Sequence, residues 1–171
     1  MLTLITGGAR SGKSSAALRL AEQDAGAGVV FVATATPDDV DMAARIAAHQ
    51  AERPWDWATV EEPVDLAAAL RRAGPDATVV VDCLTLWTMN MFDRPDDEVL
   101  TTATRHADLA AGRPGATIVV TNEVGDGIVP ADADTRRYRD LLGRVNATWS
   151  RAADRAWLVV AGRRLELGPI P

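Results

Sequence analysis

Leu2-Thr3-Leu4-Ile5-Thr6-Gly7-Gly8-Ala9-Arg10-Ser11-Gly12-Lys13-Ser14 opens the chain, and its reading decides the architecture. The first five residues are strand formers of the buried kind, and the Ala/Leu-rich stretch 14–23 that comes next reads as a helix. Between them Gly7 to Ser14 fits G-x-x-x-x-G-K-[ST]. In a strand–loop–helix setting such a loop turns its backbone N–H groups and the helix N-terminus onto phosphate oxygens. Lys13 is the only lysine in the chain; every other long basic side chain is arginine. A compact ammonium fits inside the turn of the loop, where the planar guanidinium fork does not. The competing reading is a glycine-rich turn that matches the pattern by chance.

Outward from this loop, strand-like runs alternate with helical stretches. Val29-Val30-Phe31-Val32-Ala33, Thr78-Val79-Val80-Val81-Asp82, Thr117-Ile118-Val119-Val120-Thr121 and residues 156–161 are near-continuous apolar runs. Helices are expected over 42–52, 64–73, 98–111 and 134–153, with a short strand over 57–60. Continuous Val/Ile runs separated by helices predict an α/β fold, here a P-loop nucleotide-binding fold. Its sheet is mostly parallel with helices on both faces. Leu165-Glu166-Leu167 after Gly162 is placed to hairpin back as an antiparallel C-terminal edge. With 171 residues the expectation is one domain, 1–171, with a continuous core.

Composition excludes several classes. A formal charge of −6 argues against nucleic acid as a partner, since no basic stretch neutralises a run of phosphates. Cys83 is the lone cysteine, so no intramolecular disulfide and no cysteine-based metal cage form. No apolar run approaches the ~20 residues of a membrane span, and the N-terminus enters a strand without a leader pattern. A cytoplasmic location is expected.

Thr78 to Asp82 resembles a strand that delivers a carboxylate to the edge where open α/β sheets bind ligands. Asp82 is then a Mg²⁺ position with Ser14 as the second protein oxygen, or else an N-cap for a helix starting near Leu84. With no second lysine the chain cannot carry the Asn-Lys-x-Asp guanine motif of switch GTPases. His49 stands near the end of the second expected helix, with Arg53 four residues on and on the same face. A neighbouring guanidinium keeps an imidazole neutral, and histidine can form covalent intermediates. On spacing alone, a solvated helix residue is the plainer reading of His49. His106 has no such company and reads as a surface residue. Residues 122–130 look like a substrate-facing lid or simply a long turn. Arg136, Arg139, Asp140, Arg144 and Asn146 line the next helix as phosphate contacts or as a solvated face. Leu86-Trp87-Thr88-Met89-Asn90-Met91-Phe92 reads as core, or as apolar surface for a ligand or subunit.

Several stretches occurring in order resemble one family. They are the phosphate loop, Ala33-Thr34-Ala35-Thr36, Met42-Ala43-Ala44-Arg45-Ile46 with His49 and Arg53-Pro54, and Val81-Asp82-Cys83-Leu84-Thr85. Val120-Thr121-Asn122-Glu123-Val124-Gly125, Gly127-Ile128-Val129-Pro130, Tyr138-Arg139-Asp140 and Gly143-Arg144-Val145-Asn146 complete the set. Together they resemble the bifunctional adenosylcobinamide kinases/adenosylcobinamide-phosphate guanylyltransferases of cobalamin biosynthesis. The resemblance implies that a nucleoside triphosphate, ATP or GTP, phosphorylates the corrinoid. GTP then guanylylates a histidine, and the GMP passes to adenosylcobinamide phosphate. It further implies that His49 is that histidine. Gly7, Gly8, Ala9, Arg10, Ser11, Gly12, Lys13, Ser14, Thr34, Ala35, Thr36, Gln50, Ala51, Glu52, Arg53, Glu61 and Asp82 would contact nucleotide. Mg²⁺ would sit at Ser14 and Asp82, and the family assembles as a homotrimer. Two rivals remain: another small-molecule P-loop kinase, with no use for a covalent His49, and a nucleotide-gated binding module.

Overall fold

The structure, a computed structural model, describes residues 1–36, 50 and 53–170. The helix expected over 42–52, with His49, Ala51 and Glu52, therefore lies outside the described residues. In chain order the described elements are β1 (Leu2–Thr6), α1 (Lys13–Gln23), β2 (Val29–Ala33), β3 (Ala58–Glu61), α2 (Leu66–Arg72), β4 (Thr78–Asp82), α3 (Leu84–Asn90), α4 (Asp96–Ala111), β5 (Thr117–Val120), α5 (Ala133–Ala152), β6 (Arg155–Val160) and β7 (Arg163–Leu167).

All seven strands join one sheet in the order β3-β2-β4-β5-β1-β6-β7. The pairings from β3 to β6 are parallel, and β6–β7 is antiparallel. That hairpin turns on Ala161 and Gly162, with φ of 50° and 75°, the two positive values a two-residue type I′ turn needs. The strands at the middle of the sheet are buried on both faces, hence the unbroken Val/Ile runs.

The two-residue period of each strand sends side chains alternately to two cores. Leu2, Leu4, Val79, Val81 and Val119 pack under α2, α3, α4 and α5, with Leu70, Trp87, Val99, Leu141, Val145 and Trp149. Ile5, Phe31, Val80, Ile118, Val120 and Trp157 face the other way, against Ala17, Leu20 and Ala21 of α1. The expected parallel sheet, with helices on both faces and an antiparallel edge, is what forms. The apolar run from Leu86 is core: Trp87 and Met91 are fully buried, while Met89 reaches the surface.

His106 is not a surface residue. It is 0% exposed on α4, with its ring edge-on to Trp87 at 5.8 Å between centroids. Val99, Ala103, His106 and Ala110 recur at the helical period and form one buried stripe. Neither ring nitrogen has a hydrogen-bond partner, and Asp65 Oδ1 stands 3.7 Å away. Burial, reinforced by Arg105, lowers its pKa from 6.5 to about 4. The folded state therefore holds the neutral ring, and its stability is fully present above pH 6.5. It is lost as pH falls through that value toward the folded pKa. By pH 4 this group alone should cost about 3 kcal/mol of unfolding free energy. Urea unfolding of wild type and His106→Phe across pH 7 to 4 checks this: the variant should show a shallower loss, and parallel curves would refute the assignment.

Candidate active site

The loop after β1 is held from three sides. The Glu123 N–H donates to Gly7 O at 3.1 Å and the Gly162 N–H to Ser11 O at 2.8 Å. From inside the loop, Lys13 Nζ donates to Gly8 O at 2.7 Å. Glycine is required at two points. Gly7 has φ 152°, and a Cβ there would run into the Val159 carbonyl oxygen. Gly12, at φ 102° and ψ 11°, is the left-handed N-cap from which α1 starts. Lys13 is thus the first residue of α1, buried to 7% exposure. Burial lowers its pKa, with Cys83 and Asp82 opposing. Ser14 comes next on the same first turn, while Gly8, Ala9 and Arg10 form the exposed crest.

The adjoining edge of the sheet is built around Asp82. The N-cap of α3 is Cys83, without a side-chain cap bond, so Asp82 is not the capping residue. Its charge reaches Lys13 on one side and Arg53 on the other. Arg53 lies with its guanidinium 3.4 Å from the Phe31 ring centroid. Its Nε and Nη1 are buried and lack hydrogen-bond partners among the described residues. Buried guanidinium N–H groups without acceptors are costly, and phosphate oxygens are the acceptors that fit them best.

Thr34 is fully buried and has a structural role at this edge. Its hydroxyl donates to Cys83 O and accepts from the Cys83 N–H, both at 2.8 Å. Asn90 Nδ2 in turn donates to Thr34 O at 2.8 Å. The side chain of Thr34 is therefore committed to the β2–β4 junction, while Ala35 and Thr36 continue from it half-buried. Burial, with Asp82 beside it, pushes the Cys83 thiol up to about 12, so the side chain is held as the neutral thiol.

Not every expected site residue gathers at the loop. Glu61 ends β3 in register with Ala33, which is in register with Asp82. Four strand spacings, about 19 Å, separate β3 from β1. Glu61 therefore sits at the far end of the same edge and cannot share a phosphate with Lys13. Gln50 is exposed, and its carbonyl accepts from the Arg53 N–H at 3.3 Å.

The end of β5 carries a network that spacing does not reveal. Thr85 Oγ1 accepts from the Asn122 N–H at 2.9 Å and from Asn122 Nδ2 at 3.0 Å. Asn146 Nδ2 donates to Asn122 O at 3.0 Å, and Thr121 Oγ1 donates to Asn146 Oδ1 at 2.7 Å. Tyr138 Oη donates to Thr85 O at 2.9 Å. Asn146 is thus a buried clamp and no phosphate contact. The basic cluster on α5 is also engaged within the chain: Arg136 donates to Pro130 O and Ala131 O, and Arg139 pairs with Asp140. Between them, Arg137 pairs with Asp96.

A glycine loop between strand and helix, a buried lysine inside it and an acid at the end of the next strand but one define a P-loop nucleotide-binding protein. Comparison with known proteins narrows the class. Residues 3–167 match the family described as cobinamide kinase / cobinamide phosphate guanyltransferase. The bifunctional adenosylcobalamin biosynthesis protein CobP of Pseudomonas aeruginosa is 42% identical over 170 residues, covering 98% of this chain and 97% of that protein. The corresponding CobU proteins of Escherichia coli and Salmonella typhimurium are each 38% identical, covering 95% of this chain and 97% of theirs. The chain belongs to the cobinamide kinase / cobinamide phosphate guanyltransferase family and is an enzyme of that bifunctional class. Among solved structures, one ATPase domain aligns with a TM-score of 0.47 at 12% identity, over 92% of this chain and 68% of that one.

Lys13→Ala should abolish nucleotide-dependent turnover, because the buried charge at the loop goes with it. Lys13→Arg should lose at least about 10²-fold, since the fork does not fit the turn. Nucleotide affinity by calorimetry, with turnover, checks both; an arginine variant with wild-type affinity would contradict the geometry.

Proposed function

We propose that this enzyme phosphorylates the hydroxyl of the aminopropanol arm of adenosylcobinamide and then guanylylates the product through His49. In the first reaction the hydroxyl oxygen forms a bond to the γ-phosphorus of a nucleoside triphosphate, and the diphosphate leaves. In the second, an imidazole nitrogen of His49 bonds to the α-phosphorus of GTP and pyrophosphate leaves. A phosphate oxygen of adenosylcobinamide phosphate then displaces the histidine, giving adenosylcobinamide-GDP. Splitting nucleotidyl transfer in this way lets one phosphate site serve two acceptors.

The observation that carries the reading is the half-buried Arg53 guanidinium, whose Nε and Nη1 are enclosed without a hydrogen-bond partner among the described residues. It stands four residues after His49, within the electrostatic reach of Asp82, with two donor nitrogens that an anionic ligand would satisfy. Lys13 and the loop N–H groups would hold the chain of phosphates, with the Thr34–Thr36 segment, Gln50, Ala51, Glu52 and Glu61 along the rest of the nucleotide. A divalent cation fits the donor set: Ser14 Oγ and the Asp82 carboxylate are hard oxygen ligands, and nucleotide-bound Mg²⁺ needs few from protein. Ser14 and Asp82 would hold it, and it would supply neutralisation of phosphate charge. Dependence on both nucleotide and corrinoid, assembly as a homotrimer and a cytoplasmic location complete the proposal. No helix among the described residues is long and apolar enough to cross a membrane.

GTP labelled at the α-phosphate should leave label on the protein, whereas γ-labelled GTP should not. Brief acid should release the label, as expected for a P–N bond. His49→Ala should lose the label and guanylyl transfer while retaining at least part of the phosphorylation of adenosylcobinamide. Wild-type α-labelling by His49→Ala would remove His49 from the scheme and favour direct transfer.

A further inference from the structure

β5 lies between the strand that feeds the phosphate loop and the strand that ends in Asp82. Each neighbour is about 4.8 Å away in the pairing direction. The chain leaving β5 therefore emerges between the loop and the acid, where a terminal phosphate would be approached. Asn122 and Glu123 occupy that position.

Their backbone is tied on both sides. Asn122 is fixed by Thr85 and by Asn146 through its N–H, amide and carbonyl. The next N–H, that of Glu123, is bonded to Gly7 O of the loop itself. The Glu123 carboxylate is thus mounted on a rigid support attached to the phosphate loop. Beyond it the chain turns through Gly125 and Gly127, and Ile128 and Val129 stand 97% and 61% exposed.

The carboxylates of Asp82 and Glu123 are unlike. Asp82 faces Lys13 and Arg53 and is engaged by their positive charge. Among the described residues, Glu123 accepts one hydrogen bond, from the Gly125 N–H at 3.3 Å, and joins no ion pair. A carboxylate at this strand end would repel a triphosphate held by the loop, so one without an ion-pair partner is a liability unless it takes up a proton as the reaction proceeds. A hydroxyl attacking phosphorus releases such a proton.

We propose that Glu123 is the general base of the phosphoryl-transfer reaction, a catalytic residue that touches the acceptor hydroxyl. This rests on the kinase reading above. The hydroxyl oxygen bonds to the γ-phosphorus as the bond to the β-phosphate oxygen breaks. The hydroxyl proton passes to a Glu123 carboxylate oxygen, and from there to solvent once the phosphorylated product leaves. The exposed Ile128 and Val129 lie on the same arm and would offer apolar surface to a large, partly apolar acceptor. Thr85, Asn122 and Asn146 are positioning residues that act through Glu123.

The test is adenosylcobinamide phosphorylation by wild type, Glu123→Gln and Glu123→Asp, with ATP affinity measured directly. Glu123→Gln should lower kcat by about 10²- to 10⁴-fold, the usual worth of a general base. Its ATP Kd should stay within about threefold, and the acidic limb of its pH–rate profile should disappear. Glu123→Asp keeps a base and should recover at least about tenfold over the glutamine variant. A glutamine variant within about threefold of the wild-type rate would overturn the proposal. So would an aspartate variant as slow as the glutamine one, or a lost rate matched by lost ATP binding, which would mark Glu123 as scaffold. A wild-type enzyme that labels with α-GTP but does not phosphorylate the corrinoid would overturn the kinase reading and this base with it.

Discussion

The site depends on one constraint: the loop from Gly7 to Ser14 must present its N–H groups to a ligand, so its carbonyls must find donors of their own. Three hydrogen bonds do this, from Lys13 Nζ, from Glu123 and from Gly162. Two of them come from distant parts of the chain, so the loop is correct only when the sheet is. The β6–β7 hairpin is therefore part of the site. Its turn delivers the Gly162 N–H, and Val159 on β6 closes the space that makes glycine obligatory at position 7. Tertiary assembly therefore pre-forms the loop, and pre-organised donors of this kind contribute without reorganising during a reaction.

The strand order distributes the chemistry along that edge. Because β5 separates β1 from β4, the positive loop and the negative Asp82 are held apart with a third strand end between them. Lys13 and Arg53 bracket Asp82, giving a field that is positive around one acid, while the neighbouring Glu123 has no ion-pair partner among the described residues. Cations whose pKa values are lowered by desolvation, as at buried Lys13 and half-buried Arg53, are suited to an anionic ligand that restores what burial removed.

Much of this is legible in the chain. The loop, its strand and its helix follow from Leu2 to Ser14, and the continuous Val runs indicate the parallel sheet. Leu165 and Leu167 after Gly162 announce the edge hairpin. His106 reads as surface because its sequence neighbours, Arg105 and Asp108, are polar. Its helical neighbours Val99, Ala103 and Ala110 are the ones that decide burial, and their spacing is present in the sequence. Thr34 illustrates a different limit. A small hydroxyl beside a strand end suits a ligand contact or a backbone clasp equally, and only the proximity of Cys83 shows that its side chain is the clasp. The Thr85–Asn122–Asn146 network joins residues 37 and 24 positions apart, which no local period encodes. The arginines of α5 are ambiguous for the same reason: their partners lie largely outside the helix that carries them.

That one phosphate loop serves both reactions is tested most directly by equilibrium binding of non-hydrolysable ATP and GTP analogues, read as stoichiometry and competition on the wild-type enzyme. A single shared loop predicts one nucleotide per chain, full mutual displacement of the two analogues and loss of both in Lys13→Ala. Two nucleotides bound at once per chain, or GTP analogue binding that survives Lys13→Ala, would contradict it.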